Sequence, residues 1–280
     1  WHSLAFTFNH IVTCPSPLPQ QSPLSRRAAF SETMFEEVVG LRRPSPKEGE
    51  EEDFTVTIQE LPLADGVHAS TGCQLWPASI ILARELLRRP ELLKNRRTLE
   101  VGCGCGLAGI VAATLASQCI ITDGDEEVVQ LAQRNLLLNW PLVEEARLAA
   151  GLDLSDSAVS TEVFRWESAI KEPYSRERRV EVVLASDVIY GQWGDTLAEA
   201  VNCILSETGE VLLVASEDRR SGAEKFIATL RKMNFHLAET KLMSELGEFR
   251  IFECRRCEPG STPVELPLAH RSTVAEVGAE

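Results

Sequence analysis

The sequence predicts an α/β fold: a Rossmann-like, seven-stranded sheet, mostly parallel, closing on an antiparallel C-terminal hairpin. Three observations carry this expectation. From Thr98 onward, apolar strand-like runs alternate with segments of helical period, as in a parallel sheet covered on both faces. The first of these strands leads straight into a glycine-rich turn, Gly102-Cys-Gly-Cys-Gly106, and then into a helix. The last two strand-like runs are joined only by a short connection around Glu245-Leu-Gly247, too short for a helical crossover, so they pair antiparallel.

The elements follow in order. Phe54 to Ile58 alternates like a strand and belongs to a small N-terminal hairpin or flap. Pro77 to Leu87 reads as a helix, with proline in the first turn and apolar residues at Ile80, Ile81, Leu82, Leu86 and Leu87. Strands are then expected at Thr98 to Val101, Cys119 to Thr122, Val163 to Trp166, Val180 to Ser186, Val211 to Ala215, Phe235 to Lys241 and Glu248 to Cys254. Helices are expected at Leu107 to Ala116, Glu126 to Leu138, Asp195 to Leu205 and Ala223 to Met233.

The folded domain is expected over residues 54 to 255. Before Glu32 no residue is acidic, and prolines and serines crowd residues 14 to 28. That stretch reads as an unstructured extension, either a transit-like leader or sequence upstream of a start at Met34. Residues 44 to 53 read as an acidic linker and residues 256 to 280 as a disordered tail.

Composition excludes several classes. The chain has 280 residues, with 42 acidic against 28 basic side chains and a net charge of −14. That balance argues against a nucleic-acid surface and favours a protein or small-molecule substrate. No apolar run approaches the length of a membrane span, so no membrane partner is expected. Eight cysteines lack the regular pairing of a secreted scaffold and read as free thiols of a reducing compartment, the cytoplasm first and the nucleus second. Cys254 and Cys257 have zinc-like spacing, but two ligands do not close a tetrahedral site, and no metal is expected. A monomer is the expected state.

A glycine-rich turn between strand and helix lets backbone approach a ligand closely. Gly102, Gly104 and Gly106 supply it, but Gly104-Cys-Gly-Leu-Ala-Gly109 also satisfies the dinucleotide pattern, so the loop alone leaves the cofactor open. Either cofactor calls for an acid at the end of the second strand to accept hydrogen bonds from ribose hydroxyls, and Asp123 is placed for it; it and Asp125 are also candidate helix caps. Three features favour S-adenosyl-L-methionine. Glu100, two residues before the first glycine, can orient the ammonium of a methionine moiety, a group no dinucleotide has. A long stretch of chain precedes the glycines, and the sheet ends in an antiparallel hairpin. Cys103 and Cys105 read as packing thiols whose backbone lies in the loop.

The strand at Val180 ends in Ala185-Ser-Asp187-Val-Ile-Tyr190, where ligands of open α/β sheets bind. Methyl transfer moves positive charge from sulfur to the attacking nucleophile, and acceptors or aromatic faces beside that nucleophile stabilise it. Asp187 and Tyr190 are the catalytic candidates on this ground. A carboxylate raises an amine's pKa, so Asp187 is assigned to holding the amine rather than deprotonating it. Trp76, just before the first helix, and Trp166 are further candidates, although taken singly each reads more readily as a core residue.

Taken together, Leu75-Trp-Pro-Ala-Ser-Ile-Ile-Leu-Ala83, Leu99-Glu-Val-Gly-Cys-Gly-Cys-Gly-Leu107, Thr122-Asp123, Asn135-Leu-Leu-Leu-Asn139, Arg165-Trp166 and Ser186-Asp-Val-Ile-Tyr190 resemble the methyltransferase-like 21 family of seven-β-strand enzymes, which mostly methylate lysines of specific proteins. The resemblance implies cofactor contacts at Trp76, Gly102, Cys103, Gly104, Asp123, Trp166 and Ser186, the last through backbone. It implies a protein N-methyltransferase acting on lysine. A small-molecule methyltransferase and a non-catalytic interaction protein with the same fold are the rivals. Trp76 is followed by proline where many relatives carry aspartate, which puts the entry to that helix in question.

Overall fold

A computed structural model describes residues 34–45, 49–61, 71–155, 157–189, 191–217, 220–257 and 269–272. The sheet runs in the order β10-β8-β9-β7-β6-β3-β4-β5. Its strands are β3 (Arg97–Val101), β4 (Gln118–Asp123), β5 (Val159–Val163), β6 (Val180–Ser186), β7 (Leu205–Ser216), β8 (Phe235–Ser244), β9 (Gly247–Arg256) and β10 (Ala269–Ser272). β5, β4, β3, β6 and β7 are mutually parallel, while β9 lies antiparallel between β7 and β8. The seven expected strands are present and the hairpin turns at Glu245–Leu246, as anticipated. β10, within the stretch expected to be a disordered tail, adds an eighth strand parallel to β8.

The helices are α1 (Pro77–Arg88), α2 (Leu107–Ala113), α3 (Glu126–Leu138), α4 (Trp140–Ala150), α5 (Trp166–Lys171), α6 (Gly194–Ile204) and α7 (Arg220–Lys232). Strand alternation sorts the core into two layers. Val182 and Leu184 pack with α1, α2 and α3, whereas Val183 and Ala185 pack with α5, α6 and α7. Both faces of β6 are therefore covered, which is why it reads as an unbroken apolar run.

Three expectations are corrected. The folded chain starts earlier than residue 54: β1 (Phe35–Pro44) pairs along its whole length with β2 (Glu51–Glu60). Val39 and Leu41 bury one face of β1 beneath its charged residues. α4 follows α3 after a single residue; proline in its first turn and Gly151 as a left-handed cap are the sequence signals for it. Finally, the strand expected at Val163 to Trp166 lies four residues earlier. Phe164 donates its N–H to the Asp123 carbonyl (2.8 Å) beyond the strand, and Trp166 opens α5.

α4 carries Arg147, which is fully buried and forms no salt bridge with a carboxylate among the described residues. Its guanidinium donates instead to the carbonyls of Ala113 (2.7 Å), Ala116 (3.0 Å), Ser117 (3.0 Å) and Asp153 (2.7 Å). Carbonyls left over at the end of α2 are thereby satisfied by a cation, the sign that the negative end of a helix favours.

The β1–β2 hairpin docks on α3 through two asparagines one helical turn apart. Asn135 Oδ1 accepts from Gln59 N–H (2.8 Å) and its Nδ2 donates to Gln59 O (2.9 Å); Asn139 repeats the pair with Thr57 N–H (2.9 Å) and Thr57 O (2.7 Å). Each side-chain amide thus pairs with β2 as a neighbouring strand would. Asn135 Nδ2 also donates to the Cys105 carbonyl (2.9 Å), tying the glycine loop to the same joint.

Each of these buried backbone groups costs about 1–3 kcal/mol when left unpaired. The double variant Asn135→Ala/Asn139→Ala is expected to lose several kcal/mol of stability. Amide exchange at Thr57 and Gln59 should accelerate well beyond the global change, and equal acceleration throughout the sheet would contradict the docking role.

Candidate active site

The sheet reverses direction at β3: the chain passes from β3 through β4 to β5 on one side, then returns to place β6 on the other. At such switch points the strand ends diverge and leave a crevice. Here a cavity of about 350 Å³ opens at the carboxyl ends of β3, β4, β5 and β6, within the range of about 300–1,000 Å³ usual for ligand sites. The strand ends contribute Gly102 and Gly104, Asp123 to Asp125, Phe164 to Glu167, and Ser186 to Val188. The approach to α1 closes it with Thr71, Gly72 and Trp76.

The glycine turn is shaped by steric necessity. Gly102 has φ +63°, and a Cβ there would overlap Cγ1 of Val188, so a side chain would meet both backbone strain and the far wall of the site. Gly104 instead presents its N–H to Asp123 Oδ2 (3.3 Å). Gly106 lies outside the cavity lining. It starts α2 with φ +86°, and a Cβ would press on Ala132 of α3, which makes it a packing glycine.

Of the two candidate helix caps, Asp125 is the one that caps: its Oδ1 accepts from Glu127 N–H (2.9 Å) at the start of α3. Asp123, at the tip of β4, accepts from Gly104 and from Asp125 N–H (3.1 Å), one bond to each oxygen. Burial pushes its carboxyl above the usual range, and these amides pull the other way. A carboxylate has about four lone-pair directions, so these amides leave Asp123 with capacity for a ligand's hydroxyl.

Glu100 does not reach the cavity. It lies on the face of β3 opposite Leu99 and Val101, fully buried, with Oε2 against Gly109 so closely that no Cβ would fit there. Neither oxygen makes a hydrogen bond of good geometry. Burial pushes the carboxyl up to about 8, opposed in part by the Gly109 amide. The expected contact with an ammonium is thus corrected to a buried acid behind the loop. Cys103 is likewise buried outside the lining, its N–H bonded to the Thr122 carbonyl (2.9 Å) and its thiol pushed well up by burial.

On the opposite side, Ser186 ends β6 and Asp187 follows with φ +49°, a left-handed conformation that few residues other than glycine adopt. Two sets of bonds hold it. Asp187 N–H donates to Val214 O (2.9 Å), and its carboxylate accepts from Ser216 N–H (2.7 Å) and Ser216 Oγ (2.6 Å) at the end of β7. Asp187 stands well before α6 and does not cap it. Tyr190 lies outside the described residues. Trp76 and Trp166 are half-buried and both line the cavity; Trp76 donates Nε1–H to the Thr71 carbonyl (2.8 Å).

Seven of the expected site residues therefore meet in one cavity: Trp76, Gly102, Gly104, Asp123, Trp166, Ser186 and Asp187. Sequence reasoning missed Thr71, Gly72, Phe164 and Ser216. Only Ser216 had a readable signal, a polar residue closing the apolar run Val211 to Ala215 at a strand's carboxyl end. The cavity suits a ribose-bearing cofactor, S-adenosylmethionine included: a turn where only glycine leaves room for backbone contact, and beside it a carboxylate with lone-pair capacity to spare.

A family model described as lysine methyltransferase matches residues 56–233, a span containing every residue that lines the cavity. The chain belongs to the lysine methyltransferase family. Among relatives, it is 28% identical over 67% of its length to "Protein-lysine N-methyltransferase EFM3" of Chaetomium thermophilum, covering 55% of that protein. It is 27% identical to "Calmodulin-lysine N-methyltransferase" of Arabidopsis thaliana, covering 60% of this chain and 52% of the relative. It is 30% identical to human "Methyltransferase-like protein 22", covering 58% of this chain and 41% of the relative. The chain thus spans about half the length of the curated relatives it matches. The resemblance seen in the motifs holds at the level of this family.

Glu100 gives the stability of this chain a pH dependence of definite sign. Between the ordinary carboxyl value of 4.5 and about 8 the folded protein keeps a proton that the unfolded chain has lost, so stability falls as pH rises through that window and levels off above it. Glu100→Gln removes this loss. Its stability gain over the parent, read from urea midpoints, should grow from about pH 5 to about pH 8 and then stay constant. A gain independent of pH would contradict the assignment.

Proposed function

We propose that this chain transfers a methyl group from S-adenosyl-L-methionine to a lysine side chain of a protein substrate. The observation that carries this reading is the pairing, across one cavity, of a glycine turn backed by Asp123 with an acceptor-side carboxylate, Asp187, whose orientation is fixed. Family membership and relatives named as protein-lysine N-methyltransferases support it.

S-adenosylmethionine, when bound, supplies the activated methyl group and its sulfonium leaving group. The residues of this chain do the rest. Gly102 and Gly104 admit backbone contact with the ligand, and Asp123 offers its remaining lone-pair capacity to the ribose hydroxyls. Trp76 and Trp166 supply aromatic surface to the cavity lining, and Ser186 contributes its backbone. Asp187 accepts a hydrogen bond from the acceptor amine, fixing the direction of its lone pair and stabilising the positive charge that arrives with the methyl group. An unperturbed lysine amine has a pKa of about 10.4, so it enters mostly protonated and gives its proton to water before attack. Asp187 favours the ammonium and does not drive that loss.

The two carboxylates are expected to separate on mutation. Asp187→Ala should reduce transfer roughly 100-fold or more while cofactor affinity stays near the parent value. Asp123→Ala should weaken cofactor binding roughly 10- to 100-fold, as expected for lost hydrogen bonds to a charged group. Calorimetric titration with S-adenosylmethionine reads affinity. Labelling of lysate proteins with the radiolabelled cofactor, followed by acid hydrolysis of labelled bands, reads transfer and identifies methyl-lysine. Full turnover by Asp187→Ala at saturating cofactor would sink the acceptor assignment.

A further inference from the structure

We propose that Ser216 is a positioning residue of the methyl-transfer site: its hydroxyl locks the Asp187 carboxylate in the orientation that receives the acceptor amine. The proposal rests on the reading that Asp187 faces the acceptor. It adds a residue that lies outside the D-x-x-Y motif and outside the cavity lining, some thirty positions further along the chain.

The geometry is specific. Ser216 places one donor on each carboxylate oxygen, its backbone N–H on Oδ1 at 2.7 Å and its Oγ–H on Oδ2 at 2.6 Å. Two donors from a single residue fix the carboxylate's torsion, whereas one leaves it free to swing about the remaining bond. Both distances fall in the short range of hydrogen bonds to an ionised acceptor. The main chain is held by the same strand, through Asp187 N–H to Val214 O at 2.9 Å. Asp187 also sits in a left-handed conformation, φ +49°, which aspartate tolerates better than most side chains. β7 therefore grips residue 187 at three atoms, and among the described residues no other donor meets its carboxylate, which leaves two lone pairs. Those two are what an amine on the cavity side requires.

Orientation is where such a clamp acts on rate. A reacting group displaced by about 1 Å costs about 100-fold, even when the lesion is remote from the chemistry. Ser216→Ala keeps the backbone donor and removes the hydroxyl; Ser216→Thr keeps both. At saturating S-adenosylmethionine, Ser216→Ala is expected to transfer methyl groups to lysate proteins about 10- to 100-fold more slowly than the parent, matching the loss of one hydrogen bond to a charged group. Its affinity for S-adenosylmethionine, measured by calorimetry, should not change, and Ser216→Thr should recover most of the rate.

The outcomes separate the two ideas. If Asp187→Ala is inactive but Ser216→Ala turns over like the parent, the clamp is wrong and the acceptor reading stands. If Ser216→Ala loses cofactor affinity in step with rate, or Ser216→Thr is as slow as Ser216→Ala, the residue only holds the strand end and the proposal fails. If Asp187→Ala is as active as the parent, or the parent labels no protein, the acceptor reading itself fails and takes the clamp with it. Should Ser216→Ala not fold, Ser216→Cys replaces it, since a thiol is a weak donor of similar size.

Discussion

A buried strand edge must find hydrogen-bond partners, and here a helix supplies them. β2 ends its two-stranded sheet against α3, where no further strand pairs with it, and Asn135 and Asn139 present amides at the spacing of alternate strand residues. One helical turn rises about 5.4 Å and two strand residues about 6.6–6.8 Å, close enough for both pairs to form without breaking either element. Because Asn135 also holds the Cys105 carbonyl, the hairpin, the helix and the glycine turn share a single buried joint. The position of the cavity's floor thus depends on contacts made by a hairpin that contributes none of its lining.

Much of this was legible in the sequence because strand periodicity and glycine punctuation are local signals. The strand into Gly102, the helix at Glu126 to Leu138 and the closing hairpin are all coded within a few residues. So was the meeting of Gly102, Asp123 and Asp187 in one cavity, since all three lie at carboxyl ends of strands whose order the α/β rhythm dictates. What escaped was set by tertiary contact. Phe35 to Pro44 reads as polar because only one face of β1 is buried. Residues 159 to 163 carry too few apolar side chains to stand out beside Phe164 and Trp166, which lie just past the strand.

Glu100 shows why a residue's number in a motif does not fix its direction. In a strand, alternate side chains point to opposite faces, and the face chosen by Leu99 and Val101 sends Glu100 toward α2. Gly109 is the matching concession, a helical glycine whose missing side chain leaves room for the acid. A sequence reading sees the glutamate and the glycine but not that they touch. Asp187 and Ser216 form a similar pair across neighbouring parallel strands, although in that case the contact serves the cavity rather than the core.

The walls of the cavity come from chain positions as far apart as Thr71 and Val188, on five separate segments. No one segment retains the site by itself, so a ligand that fits it recognises only the assembled sheet. Mass action then couples occupancy to folding: at a free ligand concentration 100 times its dissociation constant, the native state gains about 2.7 kcal/mol over an unfolded chain that cannot bind. In a cell, the supply of such a ligand would set how much of this protein survives unfolding and proteolysis, as well as how fast it works.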